Sequence, residues 1–253
     1  MTKETTKSSN PALWVPSAYF AMGLPFIAIS IASVLMFESM GISDTKIAFW
    51  TSLIMLPWTI KFLWSPVMEM FKTKKHFIVA TQLLTGLTFG LVALSLPFDN
   101  FFTYSIALLA VIAFSGSTND IATDGIYMDI LSSQLQAKYI GWQGASYNMA
   151  KILTSGAFVY LAGELEQSYG VLNAWMVVMG IYGVVMIVLA LYHIRMLPSG
   201  GSAKEVKSLN DGFNTLLDVL RTFFQKKNIY IYIGFIVIYR FAEGFASPAT
   251  SVP

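Results

Sequence analysis

Cysteine is absent from the chain and charged residues are scarce. The lack of cysteine excludes a disulfide framework, a thiolate metal site and a cysteine nucleophile. Charged residues make up 12% of the 253 residues, against roughly 25% in typical soluble domains. With 55% apolar residues, the chain cannot cover a soluble core with polar surface, and it is too apolar for disorder. A net charge of +2 gives no strong field for nucleic acid, so the composition predicts an integral membrane protein without a nucleic-acid partner.

Long apolar runs are abundant. A helix needs about 20 mostly apolar residues to cross the hydrocarbon core of a bilayer. Six runs have about this length, the fourth continuing as helix to about Leu131, and a seventh contains Arg240 and Glu243. We therefore expect an all-α, polytopic membrane helix bundle with these spans: 14–36, 47–68, 77–96, 101–119, 142–163, 171–192 and 229–246.

Lysine and arginine lie mainly on one side of this topology. If the N-terminus is cytoplasmic, the cytoplasmic segments hold twelve of them and the outer loops hold only Lys46, as the positive-inside rule requires. We expect a cytoplasmic tail at 1–13, a six-helix transmembrane domain at 14–196, a cytoplasmic loop with an amphipathic helix at 197–228 and a seventh transmembrane helix at 229–253. Because the sequence stops soon after the seventh run, we interpret 229–253 as a truncated C-terminal domain.

Ionisable residues inside the runs must pair or face water. Each costs about 2.5–3.5 kcal/mol at the centre of a membrane helix. Asp120 and Asp124 are four residues apart and share a helix face, where two carboxylates repel each other. Lys61 is the cation nearest in predicted depth. This group is predicted to be either a gate at the inner mouth or an ion-pair latch between the second and fourth spans.

The fifth span has one polar face, in which polar side chains recur at every fourth residue. We favour the wall of a cavity that binds a polar, anionic substrate; the alternative is a polar seam between helices, suited by nearby small residues. In the first span, Gly23-Leu24-Pro25 predicts a kink, which is typical either of a moving gate or of simple bending. The polar face consists of Gln143, Tyr147, Lys151 and Ser155.

An enzyme is disfavoured. An intramembrane aspartyl protease needs acidic residues on two facing helices, whereas Asp120 and Asp124 lie on one. The two histidines, His76 and His193, lie at span ends, where a surface role is expected. No glycine-rich phosphate loop and no zinc-ligand spacing is present, so we expect neither a cofactor nor a metal.

Several motifs, in this order, resemble the major facilitator superfamily, and within it the AmpG-type muropeptide permease branch. Charge is kept but geometry differs where Glu69 and Glu243 stand for an expected aspartate and Arg240 for an expected lysine. The motifs are Met22-Gly23-Leu24-Pro25, residues 61–66 with Glu69, Asn119-Asp120 with Asp124 and Asp129, residues 218–221, and residues 239–246 with Arg240 and Glu243.

The resemblance implies the N-terminal half of a major facilitator fold plus its seventh helix. It implies a secondary active transporter, coupled to protons, that imports a polar amphiphile such as an anhydro-muropeptide across the bacterial inner membrane by alternating access. The partners would be the small-molecule substrate, the lipid bilayer, protons and the missing C-terminal half. With the polar face of the fifth span, this gives as predicted substrate-binding or coupling residues Gln143, Tyr147, Lys151, Arg240 and Glu243. The predicted inner gate or ion-pair network consists of Lys61, Glu69, Asp120, Asp124 and Asp129.

Two alternatives stay open. The chain could be a truncated half with no transport of its own, which only folds, dimerises or scaffolds partners. It could also belong to a related transporter for a siderophore or for acetyl-CoA.

Overall fold

The computed structural model describes residues 10–68 and 73–199, and beyond them residues 218, 221–222, 224–232, 234–235 and 238. The chain divides into two compact units, Met1–Glu205 and Val206–Pro253, and all elements named below belong to the first. Every regular element in the described residues is helical. The α-helices are α1 (Pro11–Ile27), α2 (Ser33–Ser39), α3 (Asp44–Ile54), α4 (Leu56–Ile60), α5 (Ser65–Met68), α6 (Lys74–Ser95), α7 (Phe101–Ile130), α8 (Ser133–Ile152) and α9 (Phe158–Met196).

Four helical stretches of the described chain are long and apolar enough to cross a membrane. They are Pro11–Ser39, Lys74–Ser95, Phe101–Ile130 and Ser133–Met196. The predicted all-α, polytopic membrane bundle is thus confirmed. The fourth predicted run continues to the end of α7 at Ile130, as expected. The predicted amphipathic helix and seventh span lie largely outside the described residues.

The last of these stretches contains two spans. At 1.5 Å per residue, the 64 residues of Ser133–Met196 would extend about three times the thickness of the hydrocarbon core. Gly170 breaks the stretch with φ 80° and ψ 159°, a backbone conformation almost restricted to glycine. The chain therefore turns at Gly170, in agreement with the predicted boundary between the fifth and sixth runs.

The second predicted run, 47–68, is not one continuous helix. It is divided into α3, α4, a 3₁₀ turn at Lys61–Leu63 and α5. Pro57 and Pro66 explain the divisions, because proline lacks the N–H of a helical hydrogen bond and its ring clashes with the preceding turn. The expectation of an uninterrupted span here is corrected, and the 3₁₀ turn places Lys61 beside α7.

The first span is loosened after its second internal proline. Pro25 lies inside α1, and a π-helical turn, Ala28–Ala32, follows it before α2 begins. A second π turn, Leu153–Ala157, joins α8 to α9 and contacts the first. Such turns shift helix register locally and are common at functional sites. The predicted irregularity at 23–25 is thus present, displaced by one turn.

Glycines allow the main helices to approach closely. A Cβ on Gly86 of α6 would lie 2.8 Å from the carbonyl oxygen of Gly183 on α9, closer than real Cβ contacts allow. On α1, a Cβ on Gly23 would lie 3.1 Å from atoms of Tyr147 and Ala150 on α8. These contacts bring α1 against the polar face of α8 and fix α6 against α9.

Candidate functional site

Asp120 of α7 is held by two donors from the broken second span. It is buried, and its Oδ2 accepts a hydrogen bond from Trp58 Nε1 at 3.0 Å and lies 3.4 Å from Lys61 Nζ. The close approach depends on Gly116, one turn earlier, where a Cβ would lie 2.9 Å from the Trp58 ring. The structure therefore unites Lys61 and Asp120, and adds an indole that the sequence analysis did not select.

The second carboxylate oxygen of Asp120 accepts no hydrogen bond from the described residues. Its Oδ1 and the adjacent Asn119 Nδ2 are both buried without a hydrogen-bond partner among the described residues. Buried polar atoms are usually paired, so such atoms require an explanation. A carboxylate that is only half satisfied can accept another donor, such as a water molecule, a displaced side chain or a proton.

Asp124, one turn along α7, contacts a different helix. Its Oδ1 accepts a hydrogen bond from the Tyr19 hydroxyl of α1 at 2.9 Å. The same hydroxyl accepts a hydrogen bond from Gln143 Nε2 of α8. The Tyr19 ring also packs edge-on against Tyr127, with centroids 5.8 Å apart. Tyr19 therefore links Asp124, predicted in the gate, to Gln143, predicted in the binding face.

Asp129 forms a separate ion pair near the end of α7. Its Oδ2 lies 2.7 Å from Lys74 Nζ, at the start of α6. The lysine stem is buried against Gly125, where a Cβ would lie 2.8 Å from Lys74 Cδ. This pair fastens the ends of two helices.

The residues on the polar face of α8 make different kinds of contact. Tyr147 packs against Gly23, while the Ser155 hydroxyl donates to the backbone carbonyl of Lys151 at 2.8 Å. The Lys151 side chain is exposed, and its ammonium has no hydrogen-bond or ion-pair partner within the described part of the chain. Lys151 is thus a cation on a membrane helix that is available for an external ligand.

Three predicted site residues lie outside the described residues. They are Glu69 of the gate prediction, and Arg240 and Glu243 of the binding and coupling prediction. Their roles stay predictions.

His193 differs from expectation. A surface role was expected at the end of the sixth span, but the imidazole is fully buried. Its Nδ1 lies 2.7 Å from Gln82 Oε1 and its Nε2 lies 3.0 Å from Ser17 Oγ. Because an amide oxygen can only accept, Nδ1 carries the hydrogen in this arrangement. Helix ends can be buried where neighbouring helices extend beyond them, which residue position along a run does not reveal.

Two residues of the site were missed by the sequence analysis, Tyr19 and Trp58. Both are amphipathic aromatics that read as ordinary membrane core in an apolar run. Their only signal is the hydroxyl or indole N–H, which needs a partner when buried. Elsewhere among the described residues, no group of three or more His, Cys, Asp or Glu could hold a metal ion.

Comparison with known proteins decides the family. The sequence pattern of the Major Facilitator Superfamily matches residues 17–252. The chain belongs to the Major Facilitator Superfamily. It is 23% identical to the anhydromuropeptide permease of Escherichia coli, in strain K12 and equally in O157:H7, over 92% of this chain and 46% of the permease. It is also 24% identical to an uncharacterized protein of Haemophilus influenzae, over 90% of this chain and 53% of that protein.

The chain spans about half the length of the curated relatives it matches. Its family consists of membrane transporters and not of enzymes, which agrees with the absence of catalytic motifs from the sequence. The site described above therefore lies in a multi-pass membrane protein of a transporter family.

Proposed function

We propose that this chain is the N-terminal half of a secondary active transporter that imports a polar, anionic amphiphile across the bacterial inner membrane. An anhydro-muropeptide is the substrate we favour, because the E. coli relative is a permease for that class of molecule. A cytoplasmic N-terminus is part of this proposal and is supported by the distribution of lysine and arginine.

The observation that carries this proposal is the exposed Lys151 side chain, which has no partner within the described part of the chain. A lysine facing lipid near the middle of a membrane helix would cost about 2.5–3.5 kcal/mol, so Lys151 faces a wet cavity. Its unpaired ammonium suits a carboxylate of the substrate. Tyr147 and Gln143 supply neutral polar groups on the same face, and Arg240 of the seventh span would add a second cation.

The mechanism we propose is alternating access, in which two halves rock around a midplane site. The Lys61–Asp120 pair and the Tyr19–Asp124 hydrogen bond would fasten the inner gate in one state and release it in the other. Glu69 and the Lys74–Asp129 pair would support the same end of the bundle. Protons are the coupling ion in this proposal, with Glu243 as one carrier.

A second candidate is favoured by the half-length match. A chain that covers 46% of its permease relative could fold without transporting anything, serving as a scaffold or dimerising instead. The test must therefore separate transport by this chain alone from transport by a complete pair of halves.

Uptake of labelled anhydro-muropeptide into cells without their own permease tests both candidates. We would express this chain alone, and together with the unmatched half of the E. coli permease, with and without a protonophore. Protonophore-sensitive uptake whose KM rises roughly 10- to 100-fold in Lys151→Ala and is preserved in Lys138→Ala supports the proposal. Lys138 is the matched control because it lies exposed on the same helix, outside the polar face. Unlabelled siderophore and acetyl-CoA serve as competitors; inhibition by either, without muropeptide uptake, would move the assignment to that substrate.

A further inference from the structure

We propose that Asp124, Tyr19 and Gln143 form a reversible hydrogen-bond chain that reports the protonation state of Asp124 to the binding face of α8. The three residues come from α7, α1 and α8, and the Tyr19 hydroxyl is hydrogen-bonded to both of the others. A role for this hydrogen-bond chain in proton coupling rests on the proposed function, but the existence of the hydrogen-bond chain does not.

The direction of the chain is fixed when Asp124 is ionised. A carboxylate only accepts hydrogen bonds, so the Tyr19 hydroxyl must donate its single hydrogen to Asp124. The Tyr19 oxygen then has only lone pairs left, and Gln143 must present its NH2 group to it, as observed. In this state the Gln143 carbonyl oxygen is directed away from Tyr19.

In the reversed state of the chain, Asp124 is protonated. A carboxylic acid keeps a carbonyl acceptor but gains an O–H donor, and in this state the O–H is directed to the Tyr19 oxygen. Tyr19 then has to donate to Gln143, which can accept only through Oε1. The amide must therefore turn over by a half rotation. Asp124 gains one proton, the Tyr19 hydrogen changes partner, and no bond to carbon forms or breaks.

Burial makes Gln143 follow once the Asp124 O–H is directed to Tyr19. The Tyr19 side chain is only 5% exposed, so water cannot readily replace either partner. A buried hydroxyl left between two donors, or between two acceptors, would lose a hydrogen bond at a cost of about 1–3 kcal/mol. Flipping the amide restores both bonds, which is why Gln143 follows Asp124.

The surrounding ionisable groups do not replace this coupling. Lys61 from the broken second span pairs with Asp120, the carboxylate one turn away on α7. From α8, Tyr147 and Lys151 share the face of Gln143. The remaining ionisable groups packed around the chain have partners of their own: Tyr127 donates to the Gln136 carbonyl, Lys74 of α6 pairs with Asp129, and His193 of α9 bonds to Gln82 and Ser17.

The reversal changes what α8 offers a ligand. With Asp124 ionised, the free end of the Gln143 amide is its carbonyl oxygen, which repels an anionic group. With Asp124 protonated, the free end is the NH2 donor, which binds one. Protonation of Asp124 therefore prepares the face of α8 that carries Lys151 to bind an anion. In this order the proton binds before the anionic substrate, as in proton symport.

Nuclear magnetic resonance of the ligand-free protein tests the chain directly. We would label the glutamine side-chain amides with ¹⁵N, assign Gln143 through the signal missing in Gln143→Glu, and titrate pH in lipid nanodiscs. Infrared absorption of the protonated carboxyl, assigned through Asp124→Asn, would follow Asp124 in the same samples. Tyr182→Phe is the matched control, because that buried hydroxyl donates to the Thr154 carbonyl, outside the chain.

In the unchanged protein and in Tyr182→Phe, we expect the Gln143 amide signal to shift at the same pH at which Asp124 becomes protonated. Asp124→Asn, whose amide N–H imitates the protonated acid, should hold the signal at its acid position throughout. Tyr19→Phe should abolish the Gln143 shift while Asp124 still titrates. A Gln143 signal that does not move in the unchanged protein, or that moves equally in Tyr19→Phe, would overturn the proposal. Neither outcome depends on substrate. Failure of the proposed transport function and failure of the proposed hydrogen-bond chain can therefore be distinguished.

Discussion

A single methyl group at Gly86 should separate α6 from α9. A Cβ at this position would lie 2.7 Å from Ile187 Cγ1 and 2.8 Å from the carbonyl oxygen of Gly183, and a backbone oxygen cannot rotate away. Gly90, one turn later on the same helix, has nothing within 4 Å of its Cβ position. The two glycines therefore form a matched pair for Gly→Ala substitution.

The expected magnitude follows from two opposing effects. Alanine favours a helix over glycine by about 0.5–1 kcal/mol, and both variants gain this equally. Forcing an extra carbon into a filled contact costs about 1–3 kcal/mol, and only Gly86→Ala bears that cost. The difference between the two variants removes the helix preference and isolates the contact. We expect Gly86→Ala to be less stable than Gly90→Ala by about 1–3 kcal/mol.

The free energy of unfolding can be measured by titrating purified protein in mild detergent with SDS and following helix loss by circular dichroism. Gly90→Ala should be at least as stable as the unchanged chain. Equal stability of the two alanine variants would refute the close contact between α6 and α9.

Three further substitutions test other parts of the structure in the same unfolding assay. Lys61→Met should cost about 2 kcal/mol, less than the 3–5 of a fully buried pair because the lysine is 34% exposed; an equal cost in an Asp120→Asn background would show that the two do not interact. Gly170→Ala should cost about 1–3 kcal/mol through strain at φ 80°, whereas Gly163→Ala, at an open helical position, should not; similar results for both would contradict the turn at Gly170. His193→Leu should cost about 1–3 kcal/mol by leaving the buried Gln82 carbonyl oxygen without the His193 donor, and no loss would mean that the imidazole is not buried as described.

The membrane spans were predictable because the signal is local. Apolar runs of sufficient length fix the helices, and Gly170 falls between two runs, as a turn requires. The second run was misread as continuous because apolar character says nothing about hydrogen bonding, whereas Pro57 and Pro66 decide where the helix breaks. A helix inferred from hydropathy should therefore be divided where a proline lies inside the apolar run.

The candidate site could be predicted from the sequence only where a charge inside the membrane requires a partner or water. Lys61, Asp120 and Lys151 stood out because each is costly inside the bilayer. Tyr19, Trp58 and His193 did not, since each is compatible with an ordinary apolar helix or helix end. Their partners lie on other helices, between 62 and 176 residues away in sequence, which no spacing along one helix reveals.

The central claim is that Lys151 binds an anionic group of the substrate. It is tested by uptake kinetics in cells that express this chain together with the unmatched half of the E. coli permease. Two labelled muropeptides are compared, one with free peptide carboxylates and one with those carboxylates amidated. A charged hydrogen bond contributes about 1.5–3 kcal/mol, so amidation should raise KM by roughly 10- to 100-fold in the unchanged protein. In Lys151→Gln the two substrates should have nearly the same KM. If amidation had the same effect in both proteins, the carboxylate would bind elsewhere and the account of this site would be contradicted.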